Sequence, residues 1–167
     1  RPPIEVDGEH DYLTEIHPQA EGFMRALGAC LQRGAAFFID YGFPEAEYYH
    51  PQRAQGTLVC HRAHRVDAEP LLDVGLKDIT AHVNFTGVAV AAQEAGLNVL
   101  GYTSQARFLL NNGILQKTEL LAPAEQALAL KLVLEHEMGE LFKVLAVGPG
   151  EAWQPRGFAQ GDRTHRL

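Results

Sequence analysis

The run Gly34-Ala35-Ala36-Phe37-Phe38-Ile39-Asp40-Tyr41-Gly42 constrains the fold more than any other stretch, because its apolar residues carry no polar alternation and then stop at an acid, a tyrosine and a glycine. That pattern predicts a strand near residues 35–40 covered on both faces, as in the sheet of an α/β protein. Ligands of open α/β sheets sit beyond the carboxyl ends of the strands, which puts Asp40 and Tyr41 where a site is expected. An Asp ahead of a glycine also caps turns, and spacing alone leaves the two readings level.

Helices lead into this strand and into a second one. Pro18 suits the first helical position, Ala20, Phe23, Met24, Leu27 and Leu31 form an apolar stripe, and Gly34 is the expected C-cap. Glu15 stands just ahead of that helix, where it can cap, be solvated or project toward a site. Asn84 is a good N-cap for a helix carrying Val88, Ala91, Ala92 and Ala95 on one face, closed by Gly96 and followed by a strand near residues 99–103. A short helix from Gln105 to Asn112 and a longer one from Pro123 to about Met138, with Ala127, Leu130, Leu134 and Met138 as its buried stripe, precede a last strand near residues 142–147. All three strands belong in one sheet. The last is antiparallel, because it follows two successive helices instead of being fed by one.

The stretch from Tyr41 to Gln55, with Phe43, Tyr48, Tyr49, His50 and Pro51, reads as a functional loop and not a linker. Beyond it, Gly56 to Arg62 reads as a short strand and Val66 to Gly75 as a polar connection. Between Pro51 and Val66 the chain holds Arg53, His61, Arg62, His64 and Arg65 and no carboxylate. Tyr49, His50, Arg53, His61 and His64 are therefore the candidate substrate-binding residues, a basic and aromatic rim whose simpler alternative is a solvated surface. Cys60, His61 and His64, with His50 and His82, raise a metal site, but their spacing matches no zinc ribbon or finger, so no metal is expected.

Composition removes several function classes. A formal charge of -7 argues against nonspecific nucleic-acid binding. No apolar run approaches the ~20 residues that cross a bilayer and no signal-peptide pattern opens the chain, so no membrane is expected and the expected location is cytoplasmic. Residues before Tyr12 are acidic with a turn at Asp7-Gly8, and the opening Arg1-Pro2-Pro3 reads as part of a longer protein. The polar tail after Gly150 is expected to be pinned by Trp153 and Phe158. There is no GxGxxG after a strand, no GxSxG elbow, no HExxH pair and no Walker loop.

Several motifs taken together carry a resemblance. Tyr12-x-Thr14-Glu15-Ile16-x-Pro18, Phe38-Ile39-Asp40-Tyr41-Gly42, Glu47-Tyr48-Tyr49-His50-Pro51-Gln52-Arg53, Gly56-Thr57-Leu58-x-Cys60-His61, Asp78-Ile79-Thr80-Ala81-His82-Val83, Gly101-Tyr102-Thr103 and Gly139-Glu140-Leu141-Phe142-Lys143-Val144 resemble the C-terminal half of the MidA-like methyltransferases. These are S-adenosylmethionine-dependent proteins whose mitochondrial relative is a complex I assembly factor that methylates a protein arginine. Asn84 departs from the Asp of many relatives. The resemblance implies an α/β fold, the C-terminal half of a class I, Rossmann-like methyltransferase sheet in which the three strands are the fifth, the sixth and the antiparallel seventh. Residues 1–167 would be the C-terminal portion of a single methyltransferase domain, with S-adenosylmethionine bound chiefly by an N-terminal half not in this stretch and its contacts here unknown. It further implies Glu15, Asp40 and Tyr41 as catalytic positioning groups, with Glu15 clamping a guanidinium through paired hydrogen bonds. The methyl acceptor is then a protein or small molecule, the stretch alone is inactive, and a homodimer is possible. The alternative is a noncatalytic interaction module that binds a partner through the aromatic and basic loop 43–65.

Overall fold

A computed structural model of the chain describes residues 11–167, so the acidic lead-in and the Asp7-Gly8 turn lie outside the described residues. In chain order the elements are α1 (Pro18–Cys30), β1 (Ala36–Phe43), α2 (Glu45–Tyr48), β2 (Val59–Arg62), β3 (Arg65–Asp67), β4 (Asp78–Thr80), β5 (Val83–Asn84), α3 (Phe85–Glu94), β6 (Asn98–Ser104), α4 (Gln105–Asn111), α5 (Ile114–Thr118), α6 (Pro123–Lys131) and β7 (Phe142–Gly148). Short 3-10 turns stand at Pro51–Arg53, Arg156–Phe158 and Thr164–Arg166, and a wide turn at Glu135–Gly139. No helix among the described residues is long and apolar enough to cross a membrane.

The main sheet has the order β5-β1-β7-β6. β7 lies between β1 and β6 and is antiparallel to both, with Asp40 and Ser104 each opposite Lys143. The fold is thus mixed α/β, with the three expected strands in one Rossmann-like sheet. β7 is buried on both faces. Leu145 and Val147 pack toward Met24, Phe85, Ala91, Ala92 and Tyr102, whereas Val144 and Ala146 pack toward Leu100, Phe158 and Phe108. Asn84 caps α3 by accepting the N–H of Gly87 at 3.1 Å.

Some boundaries differ from the sequence reading. α1 ends at Cys30, because Gly34, at φ 104°, turns the chain only after an extended exit at Leu31. β1 continues past Asp40 to Phe43, since Gly42 and Phe43 find a parallel partner in Val83 and Asn84. The helix expected from Pro123 to Met138 stops at Lys131, because the chain must reverse to enter β7 antiparallel. Its stripe faces outward, with Leu130 42% and Leu134 40% exposed. In the tail Phe158 is buried but Trp153 is 49% exposed, so Phe158 alone of the two is pinned. The connection after Arg62 is not loop throughout, since β2, β3 and β4 form a second, antiparallel sheet in the order β3-β2-β4.

β1 is not covered on both faces. Phe37, Ile39 and Tyr41 share one face and are 45%, 50% and 45% exposed. β5 pairs only with Gly42 and Phe43, so among the described residues the remainder of that β1 edge has no strand beside it. An apolar unpaired edge of this kind recruits other chains. The isolated 167-residue polypeptide is therefore expected to self-associate, and Ile39→Lys to weaken association by at least about tenfold in sedimentation equilibrium. Unchanged association in that variant would place the contact elsewhere.

Candidate functional site

The site is assembled where the lead-in to α1 meets the carboxyl end of β1. The residue before a proline is held extended, so Pro18 keeps the preceding segment out of helix. That segment runs beside residues 54–57, with the N–H of Leu13 donating to the Ala54 carbonyl at 2.8 Å. Glu15 then points its carboxylate at the turn before β2. Oε1 accepts the N–H of Thr57 at 2.9 Å and of Leu58 at 3.0 Å, while Oε2 accepts the Thr57 hydroxyl at 3.1 Å and the Tyr48 hydroxyl at 3.3 Å. Gly56 allows this approach: it sits at φ 75°, and a Cβ there would lie 2.2 Å from Oε1. The Tyr48 phenol is pushed up to about 12, first by burial and then by the Glu15 carboxylate beside it.

The chain of contacts continues to His82. The Thr57 hydroxyl accepts the backbone N–H of His82 at 2.9 Å. The His82 ring stacks on Phe43 with centroids 5.0 Å apart and meets Tyr41 edge-on at 6.4 Å. Phe43 also carries the Arg53 guanidinium, 4.0 Å from its centroid, and Tyr41 lies against Phe142 at 4.0 Å. Burial first, and the Arg53 charge next, hold the His82 imidazole below its usual value. Its Nδ1 is shielded from solvent and has no hydrogen-bond partner among the described residues.

Two cavities flank His82. One, of about 570 Å³, lies between the carboxyl end of β1 and the small sheet, lined by Tyr41, Thr57, His61, Asp78 and Leu141 among others. The other, of about 180 Å³, is lined by Glu15, Tyr48, Tyr49 and Asn84. A third opening, of about 590 Å³, lies along β1 and includes Phe38, Asp40 and Phe85.

Of the residues named from sequence, Tyr41 and His61 line the largest cavity beside His82, and Arg53 is held close by on Phe43. Glu15 lies at the same edge, but the oxygens expected to clamp a guanidinium are already taken by Thr57, Leu58 and Tyr48. Asp40 stands within β1 and accepts the N–H of Tyr41 at 2.8 Å. Tyr49 is buried edge-on to Tyr48, at 5.0 Å between centroids. His50 caps the turn at Pro51–Arg53, its Nδ1 accepting the N–H of Gln52. His64 sits at φ 63° in the turn between β2 and β3, and lines neither of the cavities beside His82. Cys60 and His61 are adjacent in β2, with Cys60 fully buried and His61 exposed, so the strand pleat parts them.

His82, Asp78, Thr57 and Phe43 were not selected from sequence as site residues. His82 entered only as a possible metal ligand. Its sole local signal is a polar ring between β4 and the Asn84 cap, and nothing nearby in the chain reveals that Phe43 will meet it.

A family model described as "Putative S-adenosyl-L-methionine-dependent methyltransferase" matches residues 2–103. A Burkholderia thailandensis protein crystallised with S-adenosyl-homocysteine is 51% identical with a TM-score of 0.90, over 97% of this chain and 44% of its own. A native crystal structure of a superfamily protein from Burkholderia thailandensis is 51% identical with a TM-score of 0.91, over 97% of this chain and 45% of its own. The chain therefore spans less than half the length of these two relatives. No curated protein matches it.

Proposed function

Since the chain belongs to the S-adenosyl-L-methionine-dependent methyltransferase family, we propose that it supplies the acceptor side of a methyltransferase site resembling that of the MidA-like proteins, with a protein arginine or a similar nucleophile as the acceptor. The observation that carries this reading is the cavity of about 570 Å³ at the carboxyl end of β1, where α/β enzymes place their ligands. S-adenosylmethionine, when bound, supplies an electrophilic methyl group on a sulfonium.

The described residues do not by themselves fit that cofactor. β1 is followed by Pro44 and α2, and β6 directly by α4, so neither carboxyl end offers the glycine-rich turn whose N–H groups receive a cofactor's anionic end. We assign the main cofactor contacts to a part of the methyltransferase domain outside residues 1–167, and take no step of the reaction through the cofactor here. What these residues do is hold and orient an acceptor: Tyr41 and His82 form an aromatic wall, and Glu15 keeps residues 56–58 closed against it. Positioning of this kind supplies much of the rate in a direct displacement.

Burial of the loop aromatics favours this reading over an interaction module displaying residues 43–65. Tyr48 and Tyr49 are 4% and 6% exposed, so they cannot present a face to a partner. Calorimetric titration of the natural full-length protein with S-adenosylmethionine is expected to show saturable binding. Residues 1–167 alone are expected to bind at least about a hundredfold more weakly, since the cofactor's anionic end would lose its backbone donors. No binding by the full-length protein would remove the methyltransferase reading, and equal binding by both would return the cofactor contacts to this stretch.

A further inference from the structure

We propose that α6 is the contact through which two copies of this protein associate, packed antiparallel about a two-fold axis at Leu128. This interface is independent of the methyltransferase reading and lies on a different surface from the open edge of β1.

α6 is well formed locally but is not held by packing. Pro123 opens it, Glu125 accepts the N–H of Ala122 at 3.1 Å, and the Gln126 side chain donates to the Leu121 carbonyl at 3.0 Å. Yet none of its 9 residues is buried. Isolated helices shorter than about 12–15 residues are marginal in water, and helices in proteins owe most of their stability to an apolar face that packs. Here Ala124, Ala127, Leu128 and Leu130 are all exposed, with Leu128 at 65%. Leu120 and Leu121 just before the helix and Leu134 just after it are exposed as well, Leu120 at 88%. An uncovered apolar surface of this extent on one short helix and its two ends marks a contact.

The charges on that surface select a second copy as its cover. Glu125, Leu128 and Lys131 recur every three residues and so share one side of the helix. When another α6 lies antiparallel across Leu128, Glu125 of each copy meets Lys131 of the other, and Leu128 meets its own counterpart. Both charges are available for this. Among the described residues Lys131 has no hydrogen bond or ion pair, and Glu125 uses a single oxygen, on the Ala122 N–H. Ala124, one turn before Leu128, is small enough to let the two helices approach, and the antiparallel arrangement opposes their dipoles.

Other covers fit less well. Between Lys117 and Glu137 the chain carries two lysines against four glutamates, which an anionic lipid surface would repel. Further strands of the same domain would extend the main sheet from the open edge of β1. α6 belongs instead to the connection between β6 and β7, packed on α5 and the wide turn, and the outer edge of β6 is already closed by the tail. There Asp162 accepts the N–H of Tyr102 at 3.0 Å, and the N–H of Arg163 donates to the Tyr102 carbonyl at 2.6 Å. One short helix with its flanking leucines makes a contact below the roughly 1,200 Å² of a standard interface, so the dimer is expected to be reversible.

Sedimentation equilibrium of the natural full-length protein tests this. The wild type is expected to exchange between monomer and dimer. Leu128→Glu puts a good helix former at an exposed position but sets like charges together on the axis, and is expected to weaken the dimer by at least about tenfold. Lys131→Glu and Glu125→Lys each oppose like charges twice across the axis, and each alone is expected to weaken it by at least about threefold. An equimolar mixture of these two variants restores both opposite-charge pairs, so its mixed dimer is expected to regain the wild-type affinity. A folding defect in either variant does not produce that recovery. A dimer untouched by Leu128→Glu, a mixture no tighter than its components, or a dimer broken by Ile39→Lys instead would each overturn the assignment. So would a monomeric full-length protein, and protection of the α6 amides from hydrogen exchange in that monomer would assign the cover to the rest of the domain.

Discussion

Glu15→Ala is expected to destabilise the fold by about 3 kcal/mol, because the N–H groups of Thr57 and Leu58 lose a charged acceptor in a partly buried place with no substitute. An acid that merely precedes a helix predicts otherwise: replacing an exposed lead-in residue costs within about 0.5 kcal/mol. Urea unfolding separates the two. Glu15→Gln keeps one acceptor oxygen but sets an amide donor against N–H groups, and its cost is expected to be roughly half that of alanine, as charge-assisted bonds are about twice as strong as neutral ones. Tyr48 provides a second readout. Its phenol, pushed up to about 12 by burial and then by Glu15, should titrate lower in Glu15→Gln, since removing the neighbouring charge makes tyrosinate easier to form. A Tyr48 titration that does not move would mean the carboxylate is not where the hydrogen bonds place it.

Gly42→Ala is expected to cost about 3 kcal/mol, at the upper end of overpacking changes. A Cβ at this position would stand 2.2 Å from the carbonyl oxygen of Val83 and 2.8 Å from the Phe85 ring. The ring, 1% exposed, has nowhere to go, and the carbonyl belongs to the strand paired with Gly42 itself. β5 must therefore detach, taking the neighbouring His82 off Phe43. Hydrogen exchange at Val83 and Asn84 should lose its protection together with the fall in stability. A stable Gly42→Ala protein with protected Val83 would show that β1 and β5 are not held this closely.

Much of the main sheet was legible in the chain. The apolar run before Asp40, the Asn84 cap with its alanine face and the strands on either side of α4 to α6 are local patterns, and local patterns survive in any context that buries one face. Even the antiparallel sense of β7 followed from the order of helices. Of the small β3-β2-β4 sheet only β2, within the short strand read from Gly56 to Arg62, was legible; β3 and β4 are three residues long and mostly exposed, too short and too polar to show a period. The expected coverage of β1 failed for a related reason. An apolar strand reads the same whether its neighbours are near or absent, so Phe37 and Ile39 give no sign in sequence of being half exposed.

The site divides along the same line. Sequence by itself put Asp40 and Tyr41 at the end of the apolar run of β1, although the strand continues through them to Phe43. Tertiary structure alone decided which polar side chains remain available. Glu15 is joined to Thr57, 42 residues away, and this contact converts a prospective clamp into a support for the turn. His82 stacks on Phe43, 39 positions before it, with its Nδ1 shielded from solvent, and Asp78 lines the cavity from β4, which pairs with β2. Hydrogen-bond capacity is finite, so a polar side chain's role depends on what has already claimed its atoms, and those claims come from residues that only folding brings within reach.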